Sequence, residues 1–219
     1  MGLRVISKTM SWLQQLDGRM LWNVESTANG QVGDDTKKYV YLTFDDGPIP
    51  EVTPWVLDTL KQLGVNATFF CIGQNVANNP AIFERLKAEG HAVGNHTWDH
   101  PSGWRTSARS YYRSILKCQR LTRTDMFRPP YGRITNRQIN ALRKRFQLVM
   151  WDALAGDFED GLTGAECVKV VMRRVKSGSI IVFHDNLISQ ERMRHALPIV
   201  VDGLLKSGYT FATLPHRVV

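Results

Sequence analysis

Hydrophobic positions in this chain of 219 residues follow two alternating rhythms. From residue 39 onward, short runs rich in β-branched and aromatic side chains recur at 39–44, 65–72, 91–95, 146–151, 179–183 and 209–214. Such runs between polar and turn-forming residues predict strands. Between them the apolar spacing becomes helical. Val56, Leu57, Leu60 and Leu63 share one side of a helix predicted over Thr53–Leu63. Asn79 and Pro80 supply a cap and a first-turn proline for a helix ending near Gly90. Further helices are predicted over 107–121 and 198–206, and Thr135/Gln138 and Thr163/Glu166 have capping-box spacing. Strands apolar on both sides and separated by helices predict a parallel sheet covered on both faces. About seven such units suit a closed or nearly closed β/α barrel, with an open doubly wound sheet as the alternative. Residues 1–38 lack this alternation. Trp12, Leu13, Leu16 and Met20 make one amphipathic turn or two, and 31–38 reads as a polar loop. This stretch is expected to be an N-terminal extension packed on a domain of residues 39–219.

Composition narrows the class. Hydrophobic residues make up 43% and charged residues 22% of the chain, as in an ordinary globular domain. A disordered tail, a collagen-like fibre and a disulfide-stapled miniprotein are excluded. No apolar run approaches the ~18 residues of a membrane span. The three cysteines, Cys71, Cys118 and Cys167, have no CxxC spacing, so a reduced state is the simpler reading. The stretch through Trp22 has no uninterrupted apolar core and no clear cleavage site. A cytoplasmic location is therefore expected, with the cell envelope or the exterior as the alternative.

The net charge of +8 is unevenly placed. Residues 105–145 carry twelve Lys and Arg against the single acid Asp125, a local charge of +11 that leaves −3 for the rest. Arg105, Arg109, Arg113 and Lys117 recur every four residues and stripe one side of the predicted helix. A solvated helix face accounts for this, as does peripheral contact with an anionic glycan or membrane surface. No nucleic-acid partner is expected, since no recognition motif or stacking pattern accompanies the charge.

Polar residues gather where predicted strands end. The first strand runs into Asp45-Asp46-Gly47-Pro48. A turn explains Asp46-Gly47-Pro48 equally well, but two adjacent acids after an apolar strand are costly unless used. The third ends in Asn95-His96-Thr97-Trp98-Asp99-His100, and histidines four apart on one face of a helical turn can hold one metal ion. HxxxH alone is weak evidence; with a carboxylate from another strand end it makes a three-ligand set that leaves positions for water and substrate. The segment 179–183 leads into His184-Asp185, placing an imidazole where it can transfer a proton. Arg128-Pro129-Pro130-Tyr131-Gly132 is a stiff turn.

Taken in order, Thr43-Phe44-Asp45-Asp46-Gly47-Pro48, His96-Thr97-Trp98-Asp99-His100, Arg128-Pro129-Pro130-Tyr131-Gly132 and Val182-Phe183-His184-Asp185 resemble the motifs of the polysaccharide deacetylases, the NodB-homology group of carbohydrate esterases. The resemblance spans about residues 39–214. It implies an α/β fold, a distorted (β/α) barrel of seven or eight units. It also implies removal of N-acetyl groups from a GlcNAc-containing polysaccharide, peptidoglycan or a chitin-like oligomer. By matching position, Asp46, His96 and His100 are the implied ligands of a divalent metal ion, with zinc expected and cobalt or nickel able to serve. Asp45 is the implied general base acting on water, oriented by Arg128. The Tyr131 backbone N–H is implied to stabilise the oxyanion. His184 is the implied general acid, held by Asp157.

One stretch departs from the family pattern. Leu154 and Phe158 stand where an acid and a tryptophan are usual, Asp152 is out of register, and Val182 replaces a leucine of the acetyl pocket. Phe158 keeps an apolar wall but lacks the indole N–H, so catalysis is expected to survive with altered sugar preference. Trp104 and Tyr131 are candidates for stacking on sugar faces. Two alternatives stay open: O-acetyl glycan esterase activity at the same site, and a catalytically idle module that binds an anionic glycan or membrane surface through the basic stripe.

Overall fold

A computed structural model of the chain describes residues 18–24 and 37–216. Its strands are β1 (Lys38–Asp46), β2 (Thr68–Cys71), β3 (Ala92–Asn95), β4 (Met126–Phe127), β5 (Gln147–Leu148), β6 (Ala153–Leu154), β7 (Ile180–His184) and β8 (Tyr209–Phe211). Its α-helices are α1 (Thr53–Leu63), α2 (Gly73–Asn78), α3 (Pro80–Ala88), α4 (Ala108–Thr122), α5 (Asn136–Leu142), α6 (Gly164–Met172) and α7 (Gln190–Lys206). The strands run parallel in the order β5-β4-β3-β2-β1-β7-β6, with β8 added to the start of β1. The sheet curls into a distorted (β/α) barrel rather than an open doubly wound sheet.

Alternation along the strands sorts side chains between two cores. On β1, Val40, Leu42 and Phe44 pack outward under the helices, together with Phe69 of β2 and Phe183 of β7. Tyr41 of β1, Phe70 of β2 and Val182 of β7 face the barrel interior with Met126, Met150 and Trp151. Each large apolar side chain so buried contributes roughly 1.5–3 kcal/mol. By the same period of two, Thr43 and Asp45 share the inner face with Tyr41, and His184 shares it with Val182. The polar end of each strand therefore lies on the inside of the rim.

The ends of the strand path, β5 and β6, are not paired with each other. Residues 18–24 occupy the space between them. Leu21 pairs with Val149, Asn23 pairs with Ser179, and the Val24 N–H donates to the Gly178 carbonyl at 2.9 Å. Gly178 has φ +84, and a Cβ there would lie 2.4 Å from the Val24 oxygen. Asp152 belongs to this end of the barrel. It accepts from Asn23, Ser179 Oγ and the Ile180 N–H at 2.8–2.9 Å. Trp12, Leu13, Leu16 and most of the expected polar loop lie outside the described residues.

Both capping boxes form, on α5 and α6. Four expectations need correction. Asn79 precedes α3, but its side chain donates to the Pro48 and Asn75 carbonyls and makes no capping bond to the start of α3. The strand expected over 146–151 shortens to β5, because Met150 donates its N–H to Leu21. The last helix begins at Gln190, with Pro198 inside it. Buried Met193, Ala196, Leu197, Val200, Val201 and Leu204 carry one apolar face across the proline, outweighing its ~3 kcal/mol penalty. Arg105 precedes α4, whose N-cap is Ser107, so the basic helical stripe starts at Arg109.

Candidate metal and hydrolytic centre

Parallel pairing brings the C-terminal ends of β1, β3, β4 and β7 to one rim. Asp45 and His184 are register partners on the neighbouring strands β1 and β7. Asp46 pairs with Cys71 of β2, which pairs with Asn95 of β3, the residue before His96. Asn95 of β3 pairs with Phe127 of β4, the residue before Arg128.

Asp46 leaves β1 in a left-handed conformation, φ 92. Its Oδ2 accepts from the Asn186 amide at 2.6 Å, while its buried Oδ1 has no hydrogen-bond partner. That oxygen lies 3.8 Å from His96 Nε2 and 3.4 Å from His100 Nε2. The histidines do not sit on a helical turn. They flank a loop in which Thr97 and His100 have φ 69 and 57. Asn95 accepts the Thr97 N–H and Thr97 Oγ1 accepts the His100 N–H, and these bonds fold the loop.

The donor chemistry fits a divalent cation. His96 Nδ1 is 2.8 Å from the Arg128 carbonyl, which only accepts, so Nδ1 carries a proton and Nε2 is the nitrogen turned towards Asp46. Burial, aided by His96, pushes His100 down to about 4 despite Asp46 and Asp45, so its ring is neutral at neutral pH. Burial pushes Asp46 up, but His184, His96, His100 and the Asn186 amide together hold it below its ordinary value. One orphaned carboxylate oxygen and two imidazoles, with ligand atoms within 4.8 Å of one another, form a three-donor set.

Asp45 is 4% exposed. Its Oδ1 accepts from Arg128 at 2.6 Å, while its Oδ2 faces the triad, 4.0 Å from His96 Nε2. Arg128 is fully buried inside the barrel. It also donates to Thr43 Oγ1 at 2.8 Å and the Met150 carbonyl at 3.0 Å, and lies 4.0 Å from the Phe70 ring centroid. Burial lowers its pKa and Asp45 opposes that. This bracing holds the carboxylate in one orientation.

On the neighbouring strand β7, His184 Nδ1 lies 2.9 Å from Asp157 Oδ1, and Asp157 Oδ2 accepts the His184 N–H at 2.8 Å. Burial lowers the imidazole's pKa, but Asp157, Asp46 and Asp45 together push it up to about 9. The site therefore has an ionisable imidazole and a braced carboxylate on adjacent strands beside a three-donor cluster.

A family model described as polysaccharide deacetylase matches residues 32–148. The chain belongs to the polysaccharide deacetylase family. It is 34% identical over 211 residues to a peptidoglycan-N-acetylglucosamine deacetylase of Bacillus cereus, covering 91% of this chain and 76% of that one. It is 37% identical over 185 residues to the peptidoglycan-N-acetylglucosamine deacetylase PgdA of Listeria monocytogenes, covering 82% of this chain. The chain spans only 38% of the length of that relative. Among solved structures it resembles the Bc1960 peptidoglycan N-acetylglucosamine deacetylase bound to 4-naphthalen-1-yl-N-oxidanyl-benzamide. The TM-score is 0.80 at 31% identity, with 94% of each chain covered.

The remaining candidates of this polysaccharide deacetylase domain surround the centre unequally. Tyr131 takes a left-handed conformation, φ 59, and its ring stands edge-on to His100 at 4.5 Å. Phe158 packs edge-on against His184 at 5.0 Å. Trp104 is 63% exposed, with its indole N–H donated to the Ile134 carbonyl. Val182 has no exposed surface. Its place on β7 puts it inside the barrel below His184, so the structure gives it no direct substrate contact.

Sequence reasoning assigned no role to Asn186 or Asp185. Asn186 holds the Asp46 carboxylate through Oδ2. Asp185, fully buried, accepts the Gly47 N–H at 2.9 Å and Thr53 Oγ1 at 2.6 Å, fixing the turn after Asp45-Asp46. Burial pushes its carboxyl up to about 7 against these two hydrogen bonds. A Cβ on Gly47 would lie 1.9 Å from Asp185, so only glycine fits there. The available signal was the run of three polar residues after an apolar strand.

Proposed function

We propose that this chain is a metal-dependent hydrolase that removes N-acetyl groups from an acetylated glycan, with a peptidoglycan strand as the first substrate to test. One observation carries the reading: an unpartnered buried Asp46 oxygen faces two imidazoles, with an Arg-braced carboxylate and an Asp-braced imidazole on adjacent strands beside it. The family relationship and the peptidoglycan deacetylases it resembles support the substrate class. Asp46, His96 and His100 would hold the ion, with zinc first and cobalt or nickel as alternatives. When bound, a divalent cation there polarises the acetamide carbonyl and acidifies water.

The chain's own residues supply the rest. Asp45, aimed by Arg128, takes the proton of the attacking water through Oδ2. The Tyr131 backbone N–H would stabilise the oxyanion, a contribution typically worth ~3 kcal/mol. His184, its Nδ1–H fixed by Asp157, gives its Nε2 proton to the departing amine, which leaves poorly unless protonated as the C–N bond breaks.

The decisive assay supplies zinc to the purified chain and follows acetate release and new free amines on N-acetylated peptidoglycan. Both should appear together, vanish on chelation and return with added metal. Acetate without new amines would overturn the amidase reading in favour of ester cleavage.

The acid also predicts a pH dependence. His184 must be protonated to act, so activity falls as pH rises through its pKa. A cation on Asp46 opposes the imidazolium, placing this limb below the value of about 9 to which the three carboxylates alone raise the imidazole. Asp157→Asn removes a carboxylate that raises the pKa, while burial still lowers it. The basic limb of the kcat profile should move down by about one pH unit or more. A limb that stays in place would sink the assignment of His184 as acid.

A further inference from the structure

Arg133 stands apart from the other cations of the basic segment. Its guanidinium lies 5.5 Å from the Trp104 ring centroid and 5.7 Å from that of Tyr131. Both rings are largely exposed, at 63% and 60%. Tyr131 in turn contacts His100, so the guanidinium is one aromatic ring away from the metal-ligand set. The half-buried Arg133 side chain makes no ion pair or side-chain hydrogen bond among the described residues, so no carboxylate meets its guanidinium. Between Asp99 and Asp152 the sole acid is Asp125, which pairs with His216 at 2.6 Å.

Exposed Arg105 follows Trp104 directly. The two loops are tied by the Gly103 N–H to the Arg133 carbonyl at 3.2 Å, and Arg105 donates its N–H to Ser102. Trp104 is itself anchored to Ile134, the residue after Arg133. The rim beyond Tyr131 is thus a built surface of two aromatic faces and an uncompensated guanidinium. Aromatic faces suit sugar rings. A guanidinium flanked by rings keeps its N–H edge for a planar anion, and a carboxylate is the matching partner.

We propose that Arg133, backed by Arg105, binds a carboxylate of the glycan strand next to the sugar being deacetylated. This makes the chain selective for carboxylate-bearing strands of peptidoglycan type over neutral chitin-type oligomers. The inference rests on the deacetylase reading and specifies its substrate class. The carboxylate can come from the lactyl ether of a stripped strand or from a peptide stem, and separate substrates distinguish them.

The test compares kcat/KM on three soluble fragments: stem-bearing peptidoglycan, the same glycan stripped of stems, and the stripped glycan with its carboxylates converted to methyl amides. The parent should favour a charged fragment over the neutralised one by about tenfold. Whichever charged fragment is favoured identifies the source. In Arg133→Gln that ratio should fall towards one, chiefly through KM, and Arg133→Lys should restore part of it. Raising salt from about 0.05 to 0.5 M should compress the parent's ratio, because the rim is exposed. A parent ratio near one, or a ratio unchanged in Arg133→Gln, overturns the proposal while leaving the deacetylase reading intact. Absence of acetate from every fragment overturns the deacetylase reading. Calorimetric binding of the same fragments to Asp45→Asn, with and without Arg133→Gln, then decides the role of Arg133 independently of turnover.

Discussion

Replacing His96 and His100 together with alanine is expected to remove the bound divalent cation and the activity in one step. Elemental mass spectrometry of the parent should find close to one transition-metal ion per chain after zinc is supplied, and near none in the variant. Turnover should fall at least about a thousandfold, because a polarising cation supplies several kcal/mol and each ~1.4 kcal/mol is a factor of ten. The fold should survive. His96 contributes one bond to the Arg128 carbonyl, typically worth ~1 kcal/mol, and His100 lies at the rim with 23% of its side chain exposed. Zinc should therefore raise the melting temperature of the parent and leave that of the variant unmoved. A variant that still holds one ion per chain would show that Asp46, His96 and His100 are not the ligands.

Asp45 and Arg128 form the second test, since one pair carries both a catalytic and a structural load. Asp45→Asn should keep the metal and lose about a hundredfold to ten-thousandfold in turnover, the usual contribution of a positioned general base. Retained turnover would remove Asp45 from that role. Arg128→Met should be worse for the fold. Asp45 is 4% exposed and Arg128 not at all, so deleting the guanidinium strands a carboxylate in the barrel interior. Breaking such a pair from one side costs about 3–5 kcal/mol, which for a domain of this size lowers the melting temperature on the order of 10 °C. The carboxylate escapes part of that cost by taking up a proton, and a protonated Asp45 is no base. The double variant Asp45→Asn/Arg128→Met removes the uncompensated charge. It should melt above Arg128→Met while staying inactive. If it is no more stable than the single variant, the ion pair is not what holds Arg128 in place.

The sequence reading and the structure part company at identifiable places. Long, strongly patterned elements were legible: β1, α1 and both capping boxes lie where the apolar spacing and the Thr-x-x-Gln/Glu signals put them. β4 and β6 have two residues each, too few for a period to register, and exist because β3 and β7 offer edges to pair with. α7 was cut short because Pro198 looks like a helix start, whereas a buried face running through it keeps the helix whole. The histidine pair was read as helical from its spacing of four. The loop instead meets the same demand through side-chain bonds from Asn95 and Thr97, which no periodicity reveals.

By itself the sequence determined the chemical inventory and the ends of the elements that carry it. Four of the apolar runs of strand length, 39–44, 91–95, 146–151 and 179–183, are closed by an acid or a histidine, and this obliges the chain to place those groups at strand termini, since interior burial would leave them unsolvated. What only the tertiary structure decided is which groups meet. Parallel pairing sets Asp45 beside His184 and stacks the strand ends at one rim. Barrel curvature then lets Arg128, 83 residues away in sequence, reach Asp45. The same closure aims Asn186 at one oxygen of Asp46, leaving the other for a ligand, and lays Arg133 between two exposed rings. These contacts depend on register and curvature, and both are fixed by packing summed over the whole sheet rather than by any local run of residues.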